Sequence, residues 1–146
     1  MSGLPLEGLR VVELTQIYAG AYASMILADW GVELIRLDTI QTIRPGTRGQ
    51  YAVIPPPLME QIKRQKQRHL TYYHWDAGLR PWNRHAGFTS TGRNKLSMTI
   101  DLLKPEGHEI LGQLLKTADV FIENNVPETL EKLNISYEWL QEINPN

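Results

Sequence analysis

Short apolar runs alternate with longer stretches of helical periodicity along most of this chain. Arg10-Val-Val-Glu-Leu14 is short, β-branched and bounded by Gly8, which predicts a strand. Gln16 to Trp30 follows, rich in alanine, with Ile26 and Leu27 on the face expected to be buried, and predicts a helix. Gly31 is placed to end that helix in a left-handed conformation. Val32 to Leu37, apolar at alternate positions, predicts the next strand. Strand, helix and strand within 28 residues make a βαβ unit, whose crossover forces the two strands parallel.

The regular pattern resumes near residue 96. Leu96 to Leu102 predicts a third strand. Pro105 suits a first helical turn and Glu106 the positive end of the helix, which should run to Lys116 with Ile110, Leu111, Leu114 and Leu115 inward. Ala118 to Ile122 predicts a fourth strand. Pro127 to Leu133 and Ser136 to Ile143 predict two short helices, the second N-capped by Ser136. The expected fold class is therefore α/β: an open, mostly parallel, Rossmann-like sheet with flanking helices and a long insertion after the second strand. A further strand is expected beyond Asn144-Pro145-Asn146, so residues 1–146 should be the N-terminal part of a larger domain, cut short. Expressed alone, such a piece should aggregate or oligomerise through the open edge of its last strand.

Charge sets the interval 39–94 apart. The formal charge of the 146-residue chain is only −1, yet Thr39 to Lys95 carries ten Lys or Arg against two acids, Glu60 and Asp76. The same interval holds Pro45, Pro55, Pro56, Pro57, Pro81 and six aromatics, Tyr51, Tyr72, Tyr73, Trp75, Trp82 and Phe88. An interval of this length inside a compact domain is an insertion, and such loops are often functional. Lys63, Arg64, Lys66 and Arg68 with Tyr72, Tyr73, Trp75 and Trp82 could form a solvated face, a pocket wall near a substrate, or a basic aromatic surface for nucleic acid. The whole-chain pI of about 6.4 speaks against the last, so no nucleic-acid partner is expected. His69 and His74 lie five apart, not three or four, and His85 and His108 are not paired with a nearby ligand partner. No metal site is expected, and these histidines should be surface or hydrogen-bonded ones.

Composition narrows the class further. Apolar residues make up 42% and charged residues 21%, as in ordinary globular chains. The absence of cysteine excludes disulfides, thiolate zinc sites and thiol chemistry in this chain. No apolar run reaches the roughly 18 residues of a membrane span, and Met1 to Glu7 lacks the basic and apolar regions of a signal peptide. A cytoplasmic protein without a membrane partner is the expectation.

In open parallel sheets ligands bind beyond the carboxyl ends of the strands. Those ends are Thr15 to Gly20, Asp38 and Thr39, and Glu123 to Val126. The turn Gln16-Ile-Tyr-Ala-Gly20 would deliver backbone N–H groups at a helix N-terminus, suited to an anion or a polarised carbonyl. Ala19 and Gly20 could equally serve only to let the helix pack closely on the sheet. No G-x-G-x-x-G and no P-loop is present, which makes a nicotinamide or ATP site a weak reading.

Several segments, in order, carry a family resemblance. They are Pro5-Leu-Glu-Gly-Leu-Arg-Val-Val-Glu-Leu14, Ala19-Gly20, Leu27-Ala-Asp-Trp-Gly-Val-Glu-Leu-Ile-Arg-Leu-Asp38, Arg93-Asn-Lys-Leu-Ser-Met-Thr-Ile-Asp-Leu102, Lys104-Pro-Glu-Gly107, Ala118-Asp-Val-Phe-Ile-Glu-Asn124 and Ile143-Asn-Pro145. Together they resemble the N-terminal part of class III CoA-transferases, a superfamily that includes formyl-CoA transferases, carnitine dehydratase-like proteins and α-methylacyl-CoA racemases. The resemblance implies movement of CoA from an acyl-CoA thioester to a carboxylic acid. CoA or acyl-CoA would be a substrate and not a permanently bound cofactor, and the assembly an interlocked dimer or a heteromer with a related subunit. It also implies that the aspartate nucleophile follows Ile143-Asn-Pro145, outside residues 1–146, so that this chain alone would be inactive. A racemase or isomerase of the same superfamily, or a non-catalytic subunit of a two-subunit transferase, are the alternative readings.

By position, the resemblance places Gln16, Ile17, Tyr18 and Ala19 at the turn bordering the thioester. Asp38 and Thr39 fall near the adenosine, where a basic residue is common in place of Thr39, and Ile100 falls by the adenine. Asn124 and Asn125 fall along the pantetheine and phosphates, and Lys132 near the 3′-phosphate. One departure bears on the phosphates. Where many members continue Glu-Asn-aromatic-Arg-Pro-Gly, this chain reads Glu123-Asn-Asn-Val-Pro-Glu128, losing the arginine and gaining an acid. A shared cleft requires the turns at Tyr18, Asp38 and Asn124 to lie on one side of the molecule.

Overall fold

A computed structural model describes residues 3–16, 18–38, 56–65, 72, 74, 76, 78–80 and 84–145. In chain order the elements are β1 (Arg10–Leu14), α1 (Ala19–Asp29), β2 (Glu33–Asp38), α2 (Pro56–Gln65), α3 (Ala86–Thr91), β3 (Lys95–Thr99), α4 (Pro105–Leu115), β4 (Val120–Glu123), α5 (Pro127–Lys132) and α6 (Tyr137–Ile143). The chain divides into two compact units, residues 1–42 with 94–146, and residues 43–93.

The first unit is a four-stranded, all-parallel sheet in the order β3-β2-β1-β4. Because side chains alternate along a strand, the register assigns every position to a face. Val11 pairs with Leu34 and Val120, and Glu13 with Arg36 and Ile122, while Leu34 pairs with Lys95 and Arg36 with Ser97. These residues share one face. There Val11, Leu34 and Ile122 pack with Leu27, Ala28 and Val32, under α1. On the other face Val12, Leu14, Ile35, Leu37, Met98 and Phe121 pack against Leu111 and Leu115 of α4, Leu130 of α5 and Trp139, Leu140 and Ile143 of α6. The β1–β2 crossover and the β3–β4 crossover run in opposite directions across the sheet. Right-handed connections therefore place α1 and α4 on opposite faces, and the α/β architecture expected from the sequence is the one observed.

Element boundaries shift for local reasons. α1 begins at Ala19 rather than Gln16 because the Gln16 backbone is engaged elsewhere: its N–H donates to Asn124 Oδ1 (2.8 Å) and its carbonyl accepts from Asn124 Nδ2 (2.9 Å). The buried face of α1 is Gly20, Ala21, Ser24, Met25 and Ala28, and Ile26, expected inward, is exposed. Small side chains let the helix lie close on the sheet, so the larger Ile26 falls outside. Gly31 does terminate the helix, at φ 105°. β3 stops at Thr99, with Ile100 N–H still donating to Asp38 O (2.8 Å). Asp101 then starts a turn, its carbonyl accepting from Lys104 N–H (3.2 Å) and Oδ1 from Leu103 N–H (3.1 Å). Ile110, also expected inward, is exposed, since α4 turns Gly107, Leu111, Gly112 and Leu115 to the core. Ser136 caps α6 as expected, Oγ accepting from Trp139 N–H at 3.1 Å.

In the second unit, α2 carries Lys63 paired to Glu60 (3.0 Å), and α3 is N-capped by His85, whose Nδ1 accepts from Phe88 N–H (3.3 Å). Tyr72 does not belong to an aromatic surface: it is 4% exposed, bridges His85 in antiparallel pairing and meets its ring edge-on at 5.5 Å. Tyr51, Lys66, Arg68, His69, Tyr73, Trp75 and Trp82 lie outside the described residues. Among the described residues no helix is long and apolar enough to cross a membrane.

Candidate functional site

All four strands point the same way, so the turns after β1, β2 and β4 emerge at one edge of the sheet. Strand order reverses at β1, with β2 on one side and β4 on the other, and the crevice at such a switch point is where parallel sheets bind ligands. Two asparagines tie that crevice together. Asn124, just past β4, clamps both backbone groups of Gln16, and Asn125 Nδ2 donates to Leu14 O (2.9 Å). Asn125 N–H in turn donates to Glu123 Oε2 (2.7 Å). A Cβ on Gly20 would lie 2.5 Å from Thr15 Cγ2 and 3.4 Å from Asn124 Cγ, so this close approach requires glycine.

Gln16 and Asn124 are thus in direct contact, while Asn125 holds the end of β1 through Leu14. Tyr18 stands exposed at the N-cap of α1, and Ala19 opens the helix with no side-chain cap and no acid in the first turn. The first N–H groups of a helix lack intrahelical partners, and here they face the crevice edge with partial positive charge. Asp38 ends β2, its Oδ2 accepting from Ser97 Oγ (2.9 Å) and its Oδ1 from Arg36 Nε (3.3 Å). Ile100 sits beside Asp38 in backbone pairing, but its side chain is buried among Leu37, Leu102 and Leu111, in the core beneath the edge. Lys132 is exposed on the last turn of α5, with no hydrogen bond to the Gln16–Asn124 group among the described residues. Ile17 and Thr39 lie outside the described residues. Glu128 occupies the first turn of α5, where a phosphate would otherwise be favoured.

Beneath the edge lies a group of charges that the sequence pattern did not single out. Glu13 is fully buried, and the Lys95 side chain is 2% exposed. Lys95 Nζ donates to Glu13 Oε2 (2.7 Å), Ser24 Oγ (2.7 Å) and Ala21 O (2.9 Å), which uses all three ammonium protons. Glu13 Oε1 accepts from Thr15 Oγ1 and lies 3.9 Å from Arg36 Nη1. Burial lowers the pKa of Lys95, opposed by its hydrogen bond and attraction to Glu13. Burial likewise lowers that of Arg36 against the attraction of Glu13. The available signal was the presence of Glu13 and Arg36 inside otherwise apolar strands; that they meet each other and Lys95 depends on register.

Comparison with known proteins places this architecture. The sequence profile of CoA-transferase family III matches residues 6–146. The human succinyl-CoA:glutarate CoA-transferase is 32% identical over 142 residues, covering 97% of this chain and 26% of its own length. A formyl-CoA:oxalate CoA-transferase of Rhodopseudomonas palustris is 31% identical over 144 residues, covering 96% of this chain and 27% of its own length. The crystal structure of a CAIB/BAIF family protein from Brucella suis superposes with a TM-score of 0.69 at 30% identity, over 98% of this chain and 32% of that one. The chain thus spans about a quarter to a third of the length of these relatives, and it belongs to CoA-transferase family III.

Proposed function

We propose that residues 1–146 supply the CoA-binding part of an enzyme that moves CoA from an acyl-CoA thioester to a carboxylic acid. The observation that carries this is the single carboxyl edge shared by the Asn124-braced Gln16 turn, the uncapped N-terminus of α1, and Asp38. Transfer between two carboxylates exchanges one thioester for another. The chemistry then asks chiefly for a held carrier and for N–H donors where negative charge develops on the acyl oxygen. The first-turn N–H groups of α1 are the donors this chain offers. The acyl-bearing nucleophile is assigned to a segment following Pro145, and the working assembly to a homodimer or a heteromer with a related subunit.

Calorimetric titration of the chain with free CoA tests the assignment. Saturable heat is expected, and Asn124→Ala should weaken binding about tenfold, because two hydrogen bonds of about 0.5–1.5 kcal/mol each hold the Gln16 turn. Absence of heat at millimolar CoA would overturn it.

A further inference from the structure

Among the described residues Glu13, Lys95, Arg36 and Asp38 form a continuous chain of two carboxylates and two cations beneath the candidate site. Glu13 divides its two oxygens. Oε2 takes Lys95, whose remaining protons go to Ala21 O and Ser24 Oγ on α1. Oε1 takes Thr15, the residue leading into the Gln16 turn, and faces Arg36. Arg36 continues to Asp38, and Asp38 to Ser97. One carboxylate therefore stands behind the β1 turn, the first turns of α1 and the end of β2.

Stability does not account for such an arrangement. Replacing a buried ion network by packed apolar residues is often neutral or stabilising, while breaking one partner away is strongly destabilising. What apolar residues cannot do is fix the direction of Thr15, Asp38 and the α1 carbonyls to one common point. We propose that Glu13, Lys95 and Arg36 are positioning residues that couple the β1 turn and the N-terminus of α1 to Asp38, so that the two turns present themselves to a ligand as one rigid unit. That the ligand is CoA rests on the function proposed above; the coupling itself is a property of the free chain.

Among the described residues Thr15 and Ser97 mark opposite sides of this network, two strands or about 10 Å apart. Residues so separated act independently unless a shared network joins them. Amide hydrogen exchange in the free chain reads the coupling. Thr15→Val keeps the shape of the side chain that packs on Gly20 and removes only the hydroxyl. It should speed exchange at the Ile100 amide, which donates to Asp38 O, at least about threefold, with the amides of α4 unchanged. Ser97→Ala should do the same at the Gln16 amide, and Thr15→Ser should restore the original rates. In CoA titrations, the losses in affinity of Thr15→Val and Ser97→Ala should combine non-additively by a similar factor.

Exchange that quickens only next to each substitution overturns the coupling, whatever CoA does. Coupled exchange with no CoA binding by the unsubstituted chain upholds the coupling and overturns the CoA assignment. CoA binding with additive losses and purely local exchange leaves the CoA assignment standing and removes the network from it.

Discussion

Gly20 shows how a single residue joins sheet, helix and site. Its missing side chain leaves room for Thr15 Cγ2 and Asn124, and any Cβ there would sit 2.5 Å from the former and 2.8 Å from Thr15 Cβ. Thr15 cannot retreat, because it is buried and hydrogen-bonded to Glu13. Gly20→Ala should therefore lower stability by about 1–3 kcal/mol, as overpacking does, and weaken CoA binding as well, measurable by denaturant unfolding and calorimetry. The sequence left two roles for Ala19 and Gly20, close packing or ligand contact. The geometry packs Gly20 closely against Thr15 and Asn124, and the N–H groups around it are the element we propose to face the ligand. His85 carries a second residue-scale prediction. Burial holds its imidazole below the usual 6.5, so near and below that pH the unfolded chain binds a proton that the folded chain does not. Stability must then fall as pH drops through 6.5. The neutral Nδ1 also accepts from Phe88 N–H at the start of α3, which a proton there would prevent. Thermal unfolding between pH 7 and 5 should show a falling midpoint, and His85→Asn, which retains a cap acceptor without titrating, should flatten it. An equal slope in both proteins would refute the assignment.

Elements were readable where their signals are local. Ser136 was legible as a cap because an N-cap needs only a hydroxyl and the next three residues, and its bond to Trp139 N–H is present. Ser136→Ala should cost about 1 kcal/mol. The loss should appear as a lower unfolding midpoint with an unchanged denaturant slope, since α6 packs on the core through Trp139, Leu140 and Ile143 without the cap. Gly31 and Pro105 mark their helix ends for equally local reasons. The start of α1 was not readable in this way. Gln16 is compatible with a helix, and only Asn124, 108 residues further on, holds it out of one. The inward faces of α1 and α4 were misjudged at Ile26 and Ile110 for a related reason. Apolarity marks what can be buried, whereas the distance between helix and sheet, short here because glycine, alanine and serine line α1, decides what is.

At the scale of the molecule, four parallel strands in the order β3-β2-β1-β4 bring the turns at Tyr18, Asp38 and Asn124 to one edge, as a shared cleft requires. The CoA titration belongs to this scale, because no single turn constitutes the site. Of the residues proposed for it, Gln16 and Asn124 meet directly, Asn125 is tied to Leu14 and Asp38 is held by Arg36, whereas Ile100 turns into the core and Lys132 is exposed on α5. Read from the residues alone, residues 10–38 and 95–143 yield their strands and helices to within a few positions, and β1 and β2 their parallel course, whereas α2 and α3 inside the insertion went unread. Those readings follow from spacing within a few residues and from connection length; the family came from the resemblance of ordered segments. Tertiary contacts alone set the order of the strands, the register that places Glu13 against Arg36 and Arg36 against Ser97, and hence the buried charges behind the candidate site. Those depend on contacts between residues far apart in the chain, and a shift of one residue in any strand would have sent each of these side chains to the opposite face.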